Sequence, residues 1–231
     1  MNEVTPTPAT RRQSSSAGTA KPRKRAPGRP AADSPDLREQ LLDAALACFV
    51  RQGIAATSLR DIAAEAGVTP ALLHYYFGDK PQLQEALIQQ RLLPAFMIVR
   101  SRLAAAGDDL ADTIAAFICG VTEAIKQHPW WPQLWVREVL CEGGALRESV
   151  LFQKIGPVLP QMMAKRFAQA QAEGRINPDL DPRLLMVSLI GLTLFPAASA
   201  PIWRFMFDAE YLDLDTQRRH ALALLDRGLM P

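Results

Sequence analysis

Ser58 to Lys80 reads S-L-R-D-I-A-A-E-A-G-V-T-P-A-L-L-H-Y-Y-F-G-D-K, and this stretch decides the fold. Ser58 stands three residues before Asp61, the spacing of a capping box, so a helix starts there. Gly67 can take the left-handed conformation that ends a helix. Thr69-Pro70 then caps and opens a second helix, which runs through Phe77 to the turn at Gly78-Asp79. Leu59, Ile62, Ala63, Val68, Leu73 and Phe77 recur at the spacing that turns them inward. Two short helices across a tight Ala66-Gly67-Val68 turn make a helix-turn-helix, a unit that lays its second helix in a DNA groove. A plain helical hairpin is the alternative. His74, Tyr75 and Tyr76 argue against it, because three successive large rings on a helix cannot all face one core.

Upstream, Leu37, Leu41, Leu42, Ala45, Cys48 and Phe49 recur at helical spacing behind Ser34-Pro35, which supplies an N-cap and a first-turn proline. That helix is expected to stop at Gly53. Downstream, a long helix is expected from about Lys80 past Leu103, bent at Pro94. Further helices are expected over about 109–127, 132–141, 145–153, 157–174, 182–199 and 208–228. Their breaks fall at Gly107, His128-Pro129, Gly143-Gly144, Gly174 to Pro178, and Pro201. Neither period-2 alternation nor a hairpin dipeptide occurs, so the fold class is all-α, with no internal repeat.

With 231 residues and 48% of them hydrophobic, the chain can bury a substantial core. The net charge of +2 hides a strong division. Residues 1–35 hold seven bases against two acids, residues 36–80 four against six, and residues 81–231 fifteen against sixteen. The basic character therefore sits in the tail, as expected of a nucleic-acid arm. Residues 1–33, rich in Ser, Thr, Pro, Ala and base, are expected to be a disordered basic tail. Within it, Arg23 to Pro30 (R-K-R-A-P-G-R-P) has the core of an AT-hook-like element. Arg29 would enter a narrow A·T minor groove. A merely solubilising or non-specific basic tail fits the same residues.

Cys48, Cys119 and Cys141 are odd in number and widely spaced, with no CxxC or Cys/His cluster, so no disulfide framework and no metal site is implied. The N-terminus lacks the apolar core of a secretory signal. A reducing cytoplasm is the location expected. Leu184 to Trp203 is twenty residues without a charge, long enough to span a bilayer. Pro196 and Pro201 interrupt its second half, and the reading preferred is a helix buried in a core or subunit interface, with no membrane partner.

In the reading helix, Thr69, Pro70, Ala71 and Leu72 at the N-terminal end would face base edges, joined by Tyr75. Thr57 or Ser58, Tyr76 and Lys80 suit phosphate contacts, since a helix start with a hydroxyl or ammonium nearby makes an anion site. His74 would titrate against a phosphate, or serve as a neutral packing residue.

On these residues the segment 36–96 resembles the N-terminal domain of the TetR/AcrR family of bacterial regulators. The family pattern T-T/S-x-R-D-I-A-x-x-A-G-V-S, then L-Y-x-Y-F-x-x-K, is matched by Thr57 through Thr69 and by Leu73 through Lys80. Two departures matter. Ala71-Leu72 stands where the family usually has Gly-Thr, and His74 stands where a tyrosine is usual. The lost hydroxyls imply readout by apolar contact, for example with thymine methyl groups.

The resemblance implies three regions: the tail, a DNA-binding domain at 36–96, and an effector-binding and dimerisation domain at 97–231. For a homodimer, the strongly apolar helices near 157–174 and 182–199 would form a four-helix interface through Val158, Met162, Leu185, Leu189 and Leu192, with Leu184 and Val187 alongside. For a small hydrophobic effector, Phe96, Phe117, Trp131 and Trp135 would line a pocket, with Met97, Trp130 and Phe152 near it, and Glu138 or Arg137 orienting a polar group. Ordinary core packing is the competing reading of each. Pocket filling would tilt the helix carrying Pro94 and change the spacing of the two reading helices.

The function expected is a homodimeric repressor released from a palindromic double-stranded DNA operator by a small, largely hydrophobic effector. The alternative is an architectural A·T-preferring DNA binder with no effector. No nucleophile elbow, P-loop, dinucleotide glycine pattern or H-E-x-x-H occurs, so no enzyme and no cofactor is expected.

Overall fold

The computed structural model describes Met1 and residues 35–228. The tail expectation, Arg29 included, lies outside the described residues. Every described element is helical: α1 (Pro35–Gln52), α2 (Leu59–Glu65), α3 (Pro70–Phe77), α4 (Lys80–Leu87), α5 (Leu93–Ala105), α6 (Leu110–Gln127), α7 (Trp131–Trp135), α8 (Val158–Ala172), α9 (Pro182–Ala198), α10 (Ala200–Met206) and α11 (Leu214–Gly228). The all-α reading holds among the described residues.

The first three helices close on one another through α1. Leu41, Leu42, Ala45, Cys48 and Phe49 are fully buried, and they meet Ile62 of α2, Leu73 of α3 and Leu83 of α4 in one core. Burying each of the leucine, isoleucine and phenylalanine side chains contributes about 1.5–3 kcal/mol. Arg91 fastens the far side of α1, bonding Glu39 at 2.7 Å and Asp43 at 2.8 Å. Arg38 lies over the Phe77 ring, 4.9 Å from its centroid, so the end of α3 is also held to α1.

The long helix expected from Lys80 is interrupted rather than merely bent. Between α4 and α5 lies a π-helical turn, Ile88–Leu92, closed by a bond from the Leu93 N–H to the Ile88 carbonyl. Pro94 follows at the start of α5. A proline lacks the N–H of a regular ladder, and the widened turn precedes it. Similar turns occur at Val136–Leu140, directly after α7, and at Leu151–Ile155, with a 3₁₀ turn at Ala145–Glu148 between them. The expected helix at 145–153 is therefore replaced by two irregular turns.

α5 and α6 pack closely because Gly120 presents no side chain: a Cβ there would lie 3.0 Å from Val99 Cα. α8 and α9 pair, and α11 packs on α6 and α9. The helix expected from 208 begins at Leu214 instead, and a short α10 appears that the Pro201 signal had marked only as a break. α9 and α10 meet at a 73° bend, and no single described helix is long and apolar enough to cross a membrane.

Candidate nucleic-acid interface and effector site

The turn between α2 and α3 is built as the residues dictate. Ser58 Oγ accepts from the Asp61 N–H at 3.2 Å, and Asp61 Oδ2 accepts from the Ser58 N–H at 2.8 Å, completing the capping box. The Ser58 hydroxyl, which donates to Asp61 Oδ2 at 2.7 Å, and then the Ser58 N–H hold the Asp61 carboxyl below the usual carboxylate range. Gly67 adopts φ +67, and the Val68 N–H reaches back to the Ala63 carbonyl at 2.9 Å. Thr69 caps α3, its hydroxyl accepting from the Leu72 N–H at 3.4 Å.

The faces of α3 separate cleanly. Leu73 and Phe77 are buried, Leu72 and Tyr76 half-buried, and Thr69, Pro70, Ala71 and His74 exposed. Tyr75 is 68% exposed, with its ring edge-on to Tyr76 at 5.5 Å. One of the four successive rings thus enters the core, as helix geometry requires. Ser58 is exposed at the start of α2. Lys80 bonds the Ala55 carbonyl at 3.0 Å, which leaves two of its three ammonium donors for an anion.

Thr57 is a correction. It is 1% exposed, and its hydroxyl donates to the Gly53 carbonyl at 2.6 Å while accepting from Gln52 Nε2 at 3.2 Å. Its hydroxyl is committed to the turn after α1 and is not presented to a phosphate. Arg60, exposed on the first turn of α2, is the cation that the pattern reading passed over.

In the second half, three of the expected effector residues come together. The Phe96 ring meets Trp131 at 5.4 Å and Trp135 at 5.9 Å, and Trp135 meets Phe152 at 6.3 Å. Phe117 is buried on α6 and makes no ring contact with that cluster. Glu138 lies apart in role. It is 3% exposed, Oε1 accepts from the Ile54 N–H at 2.8 Å, and Oε2 accepts from the Ala145 N–H at 2.9 Å. Both oxygens are engaged by backbone, so the carboxylate ties the turn after α1 to the α7 segment instead of facing a ligand. Beside this tie an open cleft of about 970 Å³ separates α1 from α7, walled by Val50, Arg91, His128, Trp130 and Arg137.

Of the residues expected at a subunit interface, Val158 and Met162 are exposed and Leu192 half-buried. Leu185 and Leu189 are the correction: both are buried within the protomer's own core. The outward apolar residues of α9 are Leu184, Val187 and Phe195. One-residue precision on a helix uniformly rich in Leu was beyond the sequence pattern.

A capped two-helix reader with an exposed, ring-bearing second helix, ahead of a larger helical body, defines a helix-turn-helix DNA-binding regulator. The comparisons narrow this class. Residues 41–87 match the profile described as "Bacterial regulatory proteins, tetR family", and residues 111–226 match "Tetracyclin repressor-like, C-terminal domain". The chain belongs to the TetR family of transcriptional regulators. It is 32% identical over 155 residues to the HTH-type transcriptional regulator BetI of Rhizobium meliloti (strain 1021), covering 60% of this chain and 73% of that one. To the probable acrEF/envCD operon repressor of Escherichia coli (strain K12) it is 27% identical over 195 residues, covering 83% and 84%. Its fold is similar to that of the ketosteroid transcriptional regulator KstR2 of Mycobacterium tuberculosis, with a TM-score of 0.67 at 23% identity over 88% of this chain and 100% of that one. The protein is a DNA-binding transcriptional regulator.

Proposed function

We propose that the protein is a homodimeric repressor that leaves a palindromic operator when a small, largely hydrophobic effector binds. In this reading residues 36–96 read DNA and residues 97–231 dimerise and hold the effector, acting in the cytoplasm. The observation that carries it is the exposed face of α3, on which Thr69, Pro70, Ala71, His74 and Tyr75 stand clear of the core. Phosphate contacts fall to Ser58, Tyr76 and Lys80, which flank that face.

Two further features support the finer reading. Val158, Met162, Leu184, Val187 and Phe195 leave an apolar surface on α8 and α9, and covering it with a second copy would remove it from water. The Phe96, Trp131, Trp135 and Phe152 rings supply an apolar effector site. The Glu138 tie then carries a change at that site to the turn between α1 and α2.

The test is selection of an operator from random duplexes, followed by light scattering of the complex. A palindrome bound by two chains is expected, with Val187→Glu giving a helical monomer that binds it at least tenfold more weakly. Uniform binding to any A·T-rich duplex by a monomer would reject the reading.

A further inference from the structure

The aromatic cluster contains an imbalance that packing alone does not explain. Trp131 is 2% exposed, and its indole N–H is buried with no acceptor from the protein. The indole N–H of Trp135 is buried and unpartnered in the same way. Leaving a buried donor unpaired costs about 1–3 kcal/mol, so buried tryptophans usually find a partner. Here two donors, one helical turn apart and both with rings against Phe96, lack one.

A second, independent feature marks the same place. The rings sit on or beside π-helical turns: Trp135 directly precedes Val136–Leu140, Phe152 lies within Leu151–Ile155, and Phe96 lies one turn beyond Ile88–Leu92. Such turns recur at functional sites, where an extra residue loosens the helix wall. The cluster is thus bounded by segments whose ladders are already irregular.

We infer that the effector of this site is an uncharged, largely apolar planar molecule carrying a carbonyl-type oxygen, which accepts from the indole N–H of Trp131, Trp135 or both. The inference rests on the effector reading above and specifies its ligand. The ring walls favour a flat apolar body, packed edge-on or offset. The oxygen follows from the two unpaired donors, which can offer hydrogen bonds and accept none. The absence of charge on the ligand follows from its surroundings. Of the two charged side chains on the turn directly after Trp135, Glu138 has both oxygens bonded to backbone and Arg137 lines the cleft beside α1. A charged ligand buried there would lack a counter-ion.

The same donors give the site a means of discrimination. A hydrocarbon of the same shape would fill the ring walls but leave both N–H groups buried and unpaired. A site built to hydrogen-bond a ligand oxygen rejects the analogue that lacks it far better than it resolves one methylene.

Equilibrium dialysis of the full chain against two matched pairs tests this: 9-fluorenone with fluorene, and acetophenone with ethylbenzene. The ketone of at least one pair is expected to bind about tenfold tighter than its hydrocarbon. Trp131→Phe and Trp135→Phe keep an aromatic ring and remove the donor. At least one should bring the ratio of ketone to hydrocarbon affinity down to about one, whatever the change in hydrocarbon affinity itself, with helicity by circular dichroism unchanged. Equal affinity of ketone and hydrocarbon for the wild-type chain overturns the inference and leaves the effector site standing. An advantage that survives in both variants also overturns it. Failure of all four compounds to bind removes the effector reading itself.

Discussion

Glu138 Oε1 accepts a hydrogen bond from the Ile54 backbone N–H at 2.8 Å, across 84 positions of chain. Its other oxygen holds the Ala145 N–H at 2.9 Å, so one buried carboxylate joins the turn after α1 to the irregular segment after α7. Removing it orphans two backbone donors, at about 1–3 kcal/mol each. Glu138→Ala is therefore expected to lose about 3 kcal/mol in urea denaturation, and effector addition should change its operator affinity less than in the wild type. Glu138→Gln keeps one acceptor oxygen but turns an amide donor toward a backbone donor, so an intermediate loss is expected. An unchanged urea midpoint for the alanine variant would show that the tie carries no stability.

Gly144 makes that tie possible by having no side chain. Its backbone, φ −62 and ψ 119, is open to any residue. A Cβ there, however, would lie 2.2 Å from the Glu138 carbonyl oxygen, and the obstacle is backbone, which cannot swing away. Gly144→Ala must displace the Ala145 N–H from Glu138, and a loss of about 1–3 kcal/mol is expected. Because both changes break one contact, the double variant with Glu138→Ala should lose less than the two single losses together. Additive losses would place Gly144 outside the tie.

Thr57 and Ala71 separate stability from DNA reading. Thr57→Val removes a buried hydroxyl that bonds Gly53 and Gln52, so about 1 kcal/mol of stability should go while operator contacts stay in place. Ala71→Asp does the reverse. An acid in the exposed first turn of α3 suits the helix dipole and should leave the unfolding midpoint unchanged or slightly raised. The same charge faces DNA phosphates, and operator affinity should fall about a hundredfold in gel-shift titration. If Ala71→Asp bound the operator normally, α3 would not be the reading helix.

The reader was legible in the sequence because its signals are local. Ser58 and Asp61, Gly67, and Thr69 with Pro70 each mark a boundary within a few residues, and the structure places every one of those boundaries there. Thr57 was misjudged because a threonine at a helix start looks alike whether its hydroxyl turns out or in, and only the packing of Gly53 and Gln52 decides. Glu138 was beyond local reading, since its partners at Ile54 and Ala145 are set by how α1 and α7 meet. The π-helical turns were equally beyond local reading: each is only five residues long, too short for one shift of the apolar face to stand out from the pattern around it. Gly144 was the available hint, since a side chain there would strike the Glu138 backbone.

His128 gives the cleft between α1 and α7 a pH signature. It is half-buried, and burial together with the charge of Arg91 holds its imidazole below the ordinary histidine range. Arg91, Arg137 and Arg51 line the same cleft, and the carboxylate among its walls, Asp43, is bonded to Arg91. In the unfolded chain the imidazole takes its proton near pH 6.5, whereas the folded chain takes it at lower pH. Between those points the unfolded state binds more protons, so stability is full above about pH 6.5 and declines as pH falls toward the folded value. Urea denaturation at pH 7.5, 6.5, 5.5 and 5.0 should show that decline for the wild type. His128→Gln, which cannot be protonated, should remove it while leaving the steeper acid loss at lower pH, to which Asp61 contributes because its carboxyl is held below the usual range in the folded chain. Equal slopes for both proteins between pH 6.5 and 5.0 would mean that His128 is protonated as readily in the folded chain as in the unfolded one.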